Sequence, residues 1–130
     1  MCIRDRCSYA HFEHASLEKA TLHGAHFDHA HLENAHLLGA ELEGAKFQHA
    51  HLEDADLRFA KLIEAEFGWA KMRGSNMGGA ILREADLRYA ELKGCNLENA
   101  ILDKAKVLKK DIKTLHECGA DVSKVIAYDE

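Results

Sequence analysis

Three copies of the triplet His-x-Glu, at residues 11–13, 31–33 and 51–53, are the residues of this sequence best placed to do chemistry. Imidazole nitrogen and carboxylate oxygen are both ligands for zinc and related divalent ions. Two apart on an extended chain, His and Glu share a face, and a coil of twenty residues would stack one triplet on the next. His31, Glu33, His51 and Glu53 are therefore a candidate metal site, with His29 and His49 around the adjacent corner. The plainer reading is a solvated sheet face whose mixed charges limit repulsion. Exposed imidazoles also lack the surrounding hydrogen bonds that usually orient metal ligands. Nine of the ten histidines fall within the first 51 residues. Histidine titrates at about 6.5 when unperturbed, so mild acid is expected to turn this half of the chain from acidic to basic.

A second candidate is apolar. Phe59, Ile63, Ile81 and Ile101 stand where the repeat described below turns side chains outward, with Ile81 and Ile101 neighbours in one column. They form an interaction patch, a seat for the C-terminal tail, or merely scattered surface hydrophobes. Trp69 and Tyr89 continue the column of His29 and His49 and are expected to form an aromatic ladder at a corner. Serines are few and scattered (8, 16, 75 and 123), with Ser75 directed inward. No concave site with convergent groups is foreseen, so no catalytic residue is assigned and an enzyme is not expected.

What positions these residues is a repeat of five. Written from Ala10 the chain reads AHFEH, ASLEK, ATLHG, AHFDH, and it continues for twenty units without a gap to Lys109. The first position is Ala in eighteen units, with Ser75 and Cys95 as small exceptions, and the third is Leu, Phe, Met or Val in all twenty. On an α-helix five residues advance the face by about 140°, which would wind the apolar stripe around the rod. On a flat strand an odd period would throw alternate large residues to opposite faces. An extended triplet followed by a two-residue turn avoids both faults, and a chain that turns one way every fifth residue must coil. The His-x-Glu triplets, the group Phe27, Phe47 and Phe67, and the column His29, His49, Trp69 and Tyr89 all recur at twenty. Four corners per coil follow, not three. Five coils at about 4.8 Å spacing make a rod roughly 24 Å long. Six of the nine glycines (24, 39, 44, 74, 79 and 94) take the fifth position, where a corner favours residues without a Cβ.

The A-x-L-x-x series resembles the pentapeptide-repeat family over about 100 of the 130 residues. The resemblance implies an all-β fold, a right-handed quadrilateral parallel β-helix over residues 10–109, and a non-enzymatic role as protein-interaction or structural scaffold. Some members of the family resemble B-form DNA in shape and negative charge and protect type II topoisomerases from inhibitors. A gyrase modulator is thus the second functional reading. Five coils are short for that role, thirteen Lys and Arg follow residue 51, and no loop interrupts the repeats. The family usually favours Asp or Asn at the second position, and here only Asp56, Asn76, Asp86 and Asn96 comply.

Both ends depart from the repeat. Residues 1–9 are expected to be an irregular leader, and the start from Met1 to Arg6 resembles translated adaptor sequence. That implies a truncated or foreign beginning and an uncapped first coil with open strand edges. After Lys109 the apolar period becomes helical, through Leu108, Ile112 and Leu115, with Gly119 as a stop. Asp121 is expected to cap a second short turn carrying Val122, Val125 and Ile126. Residues 110–130 are read as a helical cap over Leu92, Leu97, Leu102 and Val107, with a dimer contact as the alternative.

Composition sets the outer limits. The chain has 130 residues, 47% hydrophobic and 30% charged, which fits one folded domain and neither a disordered nor a membrane-embedded protein. No apolar run approaches the roughly 18 residues of a spanning helix, and no signal peptide is visible, so a cytoplasmic site is expected. A net charge of −5 argues against a general nucleic-acid binder. Cysteines at 2, 7, 95 and 118 show no metal-finger spacing, and inward-facing Cys95 is read as a small apolar filler. The expected partner is another protein, or a second copy meeting through the ends. No cofactor, direct nucleic-acid contact, membrane or small molecule is expected.

Overall fold

The computed structural model describes residues 7–130, and a period of twenty runs through it. From His11 to Asp86 each second-position residue forms a parallel bridge with the residue twenty further on, as in the series His11, His31, His51, Lys71 and Glu91. The backbone explains the regularity. Leu32 donates its N–H to the carbonyl of His51 at 2.7 Å, His51 donates to Ala30 at 2.9 Å, and Asn34 donates to Glu53 at 3.0 Å. The N–H of Ala35 returns to the carbonyl of Leu32 at 3.0 Å and closes the corner. Each side of the coil is therefore only a few residues of strand, and each corner is a β-turn.

The third residue of that turn must be left-handed. From Tyr9 to Lys104 every fifth residue has a positive φ, six of them glycine and fourteen not. For residues other than Gly and Asn this conformation costs about 1–2 kcal/mol each. The ladder must supply that energy coil after coil.

The amide of the fourth position takes no regular part in the ladder. At four places a second-position side chain accepts it. The amides of Arg58, Gly78, Arg88 and Glu98 donate to Oδ1 of Asp56, Asn76, Asp86 and Asn96 at 3.1, 3.0, 3.1 and 3.0 Å. A short Asp or Asn reaches its own backbone two residues on, whereas His, Glu and Lys do not suit this local turn. Departure from Asp or Asn at the second position thus gives up a local backbone cap and frees the side chain to face its neighbours.

The interior is apolar and narrow. Leu32, Leu52 and Met72 are fully buried, Leu92 nearly so, and Phe12 at the first coil is half-buried. Phe27, Phe47 and Phe67 stack face to face at centroid separations of 5.2 and 5.0 Å, and Phe12 meets Phe27 edge-on at 5.9 Å. Each such burial contributes about 1.5–3 kcal/mol before conformational entropy is set against it. Ser75 is the single buried polar residue among those described, and its hydroxyl has no hydrogen-bond partner.

Two expectations at the ends need correction. The described part of the leader is regular: Cys7 is buried, and Tyr9 has the corner φ of 63° and donates its N–H to Asp28 at 3.0 Å. Cys7 and Tyr9 fill the third and fifth positions, so the ladder already accepts them; residues 1–6 lie outside the described residues. The second helical turn near 121–126 is also absent. Strand β1 (Lys106–Leu108) leads through a 3₁₀ turn (Lys109–Asp111) into helix α1 (Ile112–Glu117), and strand β2 (Ile126–Tyr128) then pairs parallel with β1. Lys106 lies opposite Ile126, which restores the twenty-residue register. Asp121 accepts the N–H of Ser123 at 3.0 Å, as its counterparts do within the repeat. The open edge of the last coil offers this segment a ladder, including Ile126 N–H to Ala105 at 2.8 Å, that a short isolated helix cannot match. Leu115 of α1 joins the core, and Leu97 donates its N–H to Cys118 at 2.7 Å.

Candidate functional surfaces

The coil brings the predicted His and Glu residues together on one side. His31 Nδ1 lies 3.5 Å from a Glu33 carboxylate oxygen, and His51 Nδ1 lies 3.8 Å from Glu53 Oε1. The rings of His11, His31 and His51 stack with separations of 4.7 and 4.6 Å, their planes within 9°. One ligand atom from each of His31, Glu33 and His51 falls within 4.8 Å of the others. Glu53 stands beside His51 on the second rung, outside that mutual set. One oxygen of Glu33 and one of Glu53 are enclosed without a hydrogen-bond donor. Outermost Glu13 is held below the usual carboxylate range by a backbone hydrogen bond and by His11 at 3.2 Å. Lys71 and Arg73 follow in these columns and end the run.

His29 and His49 belong to a different feature. With Tyr9, Trp69 and Tyr89 they form a corner stack of five rings, separated in order by 4.6, 4.8, 5.5 and 4.8 Å. The flat faces cover one another and ring edges meet the solvent. Trp69 and Tyr89 thus form the ladder that their spacing predicts.

The apolar candidates share one side of the rod but occupy three columns. Ile81 and Ile101 are bridged neighbours, following Lys61 in their column. Ile63 stands in the fourth-position column beside them, and Phe59 stands at the corner. A methyl group built on Gly79 would collide with the Phe59 ring at 2.5 Å, so the ring lies directly over that glycine.

Three features were not foreseen from the sequence. Cys95 and Cys118 meet in the core with sulfurs 3.1 Å apart. Arg58 and Arg88 each clamp an aspartate two residues earlier with two short bonds, 2.8 and 2.8 Å to Asp56 and 2.9 and 2.8 Å to Asp86. The D-x-R spacing could have signalled the clamps, since the two side chains point to one side of a strand. A hollow of about 430 Å³ beside Trp69 and Tyr89 gathers Arg73, Lys93 and Lys110, with Glu91 and Asp111 opposing them. No helix among the described residues is long and apolar enough to cross a membrane.

A coil of short parallel sides, with an apolar axis and left-handed corners every fifth residue, defines a β-helical solenoid. The sequence model for pentapeptide repeats matches in eight copies over residues 6–40, 40–79 and 80–108, and the chain belongs to the pentapeptide-repeat family. Its members form right-handed quadrilateral β-helices and are generally structural or interaction proteins. The chain is similar to the crystal structure of the pentapeptide repeat protein Rfr23 from the cyanobacterium Cyanothece 51142, with 34% identity and a TM-score of 0.60. That match covers 73% of this chain and 61% of the other, so this chain spans about three fifths of that protein's length. It is also similar to alr5209, a pentapeptide repeat protein of Nostoc PCC 7120, at 27% identity and a TM-score of 0.66, covering 79% of this chain and 84% of the other. A plasmid-mediated fluoroquinolone resistance protein, QnrB1, aligns at 17% identity with a TM-score of 0.46, covering 98% and 86%. No curated protein matches the chain.

Proposed function

We propose that the chain is a non-catalytic scaffold that binds another protein through the side bearing Ile63, Ile81 and Ile101, with Phe59 at its corner. The rod is read as about five coils over residues 10–109, closed by 110–130. The observation that supports this reading is the separation of inside from outside. Apolar residues fill the axis, and the variable chemistry stands outward in straight columns on flat walls. Outward columns on a wall suit a binding surface better than substrate chemistry, which draws its groups together in a cleft. One wall carries the bridged pair Ile81 and Ile101. Lys61, Arg83, Asp103 and Lys104 surround it, and an apolar strip with a charged rim is the usual composition of a protein contact.

A photoreactive phenylalanine analogue at position 83 tests this, with position 48 on another side of the rod as control. Protein adducts at 83 that are absent at 48, and that vanish in the Ile81→Asn/Ile101→Asn variant, support the reading. Equal adducts at both positions, or none at either, overturn it. A second copy as the captured protein would identify self-association, which sedimentation measures directly.

The second reading, a DNA-mimicking gyrase modulator, meets a surface where Lys61, Lys71, Arg73, Arg83 and Lys93 interrupt the acidic columns. Supercoiling assays with a fluoroquinolone present test it. Protection of gyrase at micromolar protein would replace the scaffold reading.

A further inference from the structure

We propose that His31, Glu33 and His51, with Glu53 as a fourth ligand, bind one divalent transition-metal ion such as zinc. The site is independent of the scaffold reading, because it lies on a different side of the rod from Ile81 and Ile101.

Distance carries the proposal. Tetrahedral zinc with bonds of about 2.0–2.1 Å places neighbouring ligand atoms about 3.3 Å apart. Within a rung, Nδ1 and carboxylate oxygen are already 3.5 Å apart at His31–Glu33 and 3.8 Å at His51–Glu53. Between rungs the ring centroids are 4.6 Å apart. The ligand atoms of His31, Glu33 and His51 already lie within 4.8 Å of one another, so binding requires them to close by about 1.5 Å through side-chain rotation. Both Nδ1 atoms face the glutamate column, so the lone pairs and the carboxylates address the same groove.

Charge and enclosure point the same way. Two carboxylates and two neutral imidazoles sum to −2, which a divalent cation neutralises. Glu53 Oε1, the oxygen that faces His51, is shielded from water with no donor, and a coordinated cation would satisfy it. The neighbours restrict the site to these two rungs. His11 and Glu13 below are more exposed, with side-chain exposures of 71% and 39% against 34% and 32% for His31 and Glu33. Lys71 above brings positive charge. Histidine and carboxylate ligands together favour zinc and its transition-metal neighbours over magnesium or calcium.

Isothermal titration of tag-free protein with zinc chloride tests the proposal, since an affinity tag of histidines would mask it. One zinc per chain is expected. His31→Ala and His51→Ala should each weaken binding by about tenfold or more, and the double variant should abolish it. His36→Ala, an exposed histidine on another side, should bind as the parent does. Glu33→Gln keeps the side-chain shape and should also weaken binding, which separates loss of a ligand from loss of fold. Cobalt(II) should give the intense visible bands of four-coordination. Absence of saturable heat, or binding that persists in the His31→Ala/His51→Ala variant, overturns the proposal.

Discussion

The sulfurs of Cys95 and Cys118 lie 3.1 Å apart inside the molecule, one from the inward file of the repeat and one from the turn after α1. Cys118 also points its thiol at the carbonyl of Leu92 at 3.4 Å. The pair therefore joins the last coil to the C-terminal segment at a point where both are buried.

Burial, and then the neighbouring Cys118 thiol, push the Cys95 thiol well above the ordinary range for cysteine. The folded state thus favours the neutral thiol, while the unfolded chain ionises at about 8.5. The unfolded state then binds fewer protons than the folded state above that pH, so this contribution to stability is complete below about 8.5 and lost as pH rises beyond it. Cys95→Ala should fold, because Ala holds the same position in eighteen of the twenty units. The expected outcome is a steeper fall in melting temperature between about pH 8.5 and 10 for the parent than for Cys95→Ala. Parallel profiles would show that the thiol does not report on folding.

Ser75 occupies the same inward file with its hydroxyl enclosed and unpartnered. Removing an unsatisfied buried hydroxyl recovers its desolvation penalty, about 1 kcal/mol or more. Ser75→Ala should raise stability by about that amount in urea unfolding with an unchanged m value. A loss of stability would mean that the hydroxyl has a partner after all.

Glu84 is exposed and holds a φ of 58°. Glycine at this corner relieves the left-handed penalty, offset in part by its greater freedom in the unfolded chain. Glu84→Gly should stabilise by about 0.5–1 kcal/mol, and β-branched Glu84→Val should destabilise by at least about 1 kcal/mol. The reverse order in thermal melts would remove the conformational account of the corners.

Burial raises the Asp86 carboxyl, but the bonds from Arg88 outweigh it and leave the group below its ordinary value. Its contribution is therefore present above the unfolded aspartate value of about 3.9 and lost as pH falls through the lower folded value. Asp86→Ala removes both the Arg88 clamp and the acceptor for the Arg88 amide, and should cost about 1 kcal/mol. Asp86→Asn keeps the amide acceptor, as Asn76 and Asn96 show, and should cost less while flattening the acid limb of the stability curve. An Asp86→Asn variant as unstable as Asp86→Ala would place the energy in the ion pair and not in the cap.

Much of the architecture was legible in the sequence because a period of five allows so few backbone solutions. Ala at one position and Leu or Phe two later fix which side chains point inward, and recurrence at twenty fixes which residues become neighbours. The stacks Phe27–Phe47–Phe67 and His31–His51 follow from that count alone. The second-position aspartates and asparagines were visible as the four places that keep the family habit, but their task as amide acceptors emerges only from the backbone.

What the tertiary structure decided lies where the period fails. Val122, Val125 and Ile126 carry a spacing equally suited to a helix turn, and local pattern cannot register an open strand edge waiting at residues 106–108. Cys95 and Cys118 are twenty-three apart, off the repeat, and meet only because α1 carries the chain across before it rejoins the ladder. Within the repeat, neighbours are set by counting; beyond it, they are set by which backbone groups the last coil leaves unpaired.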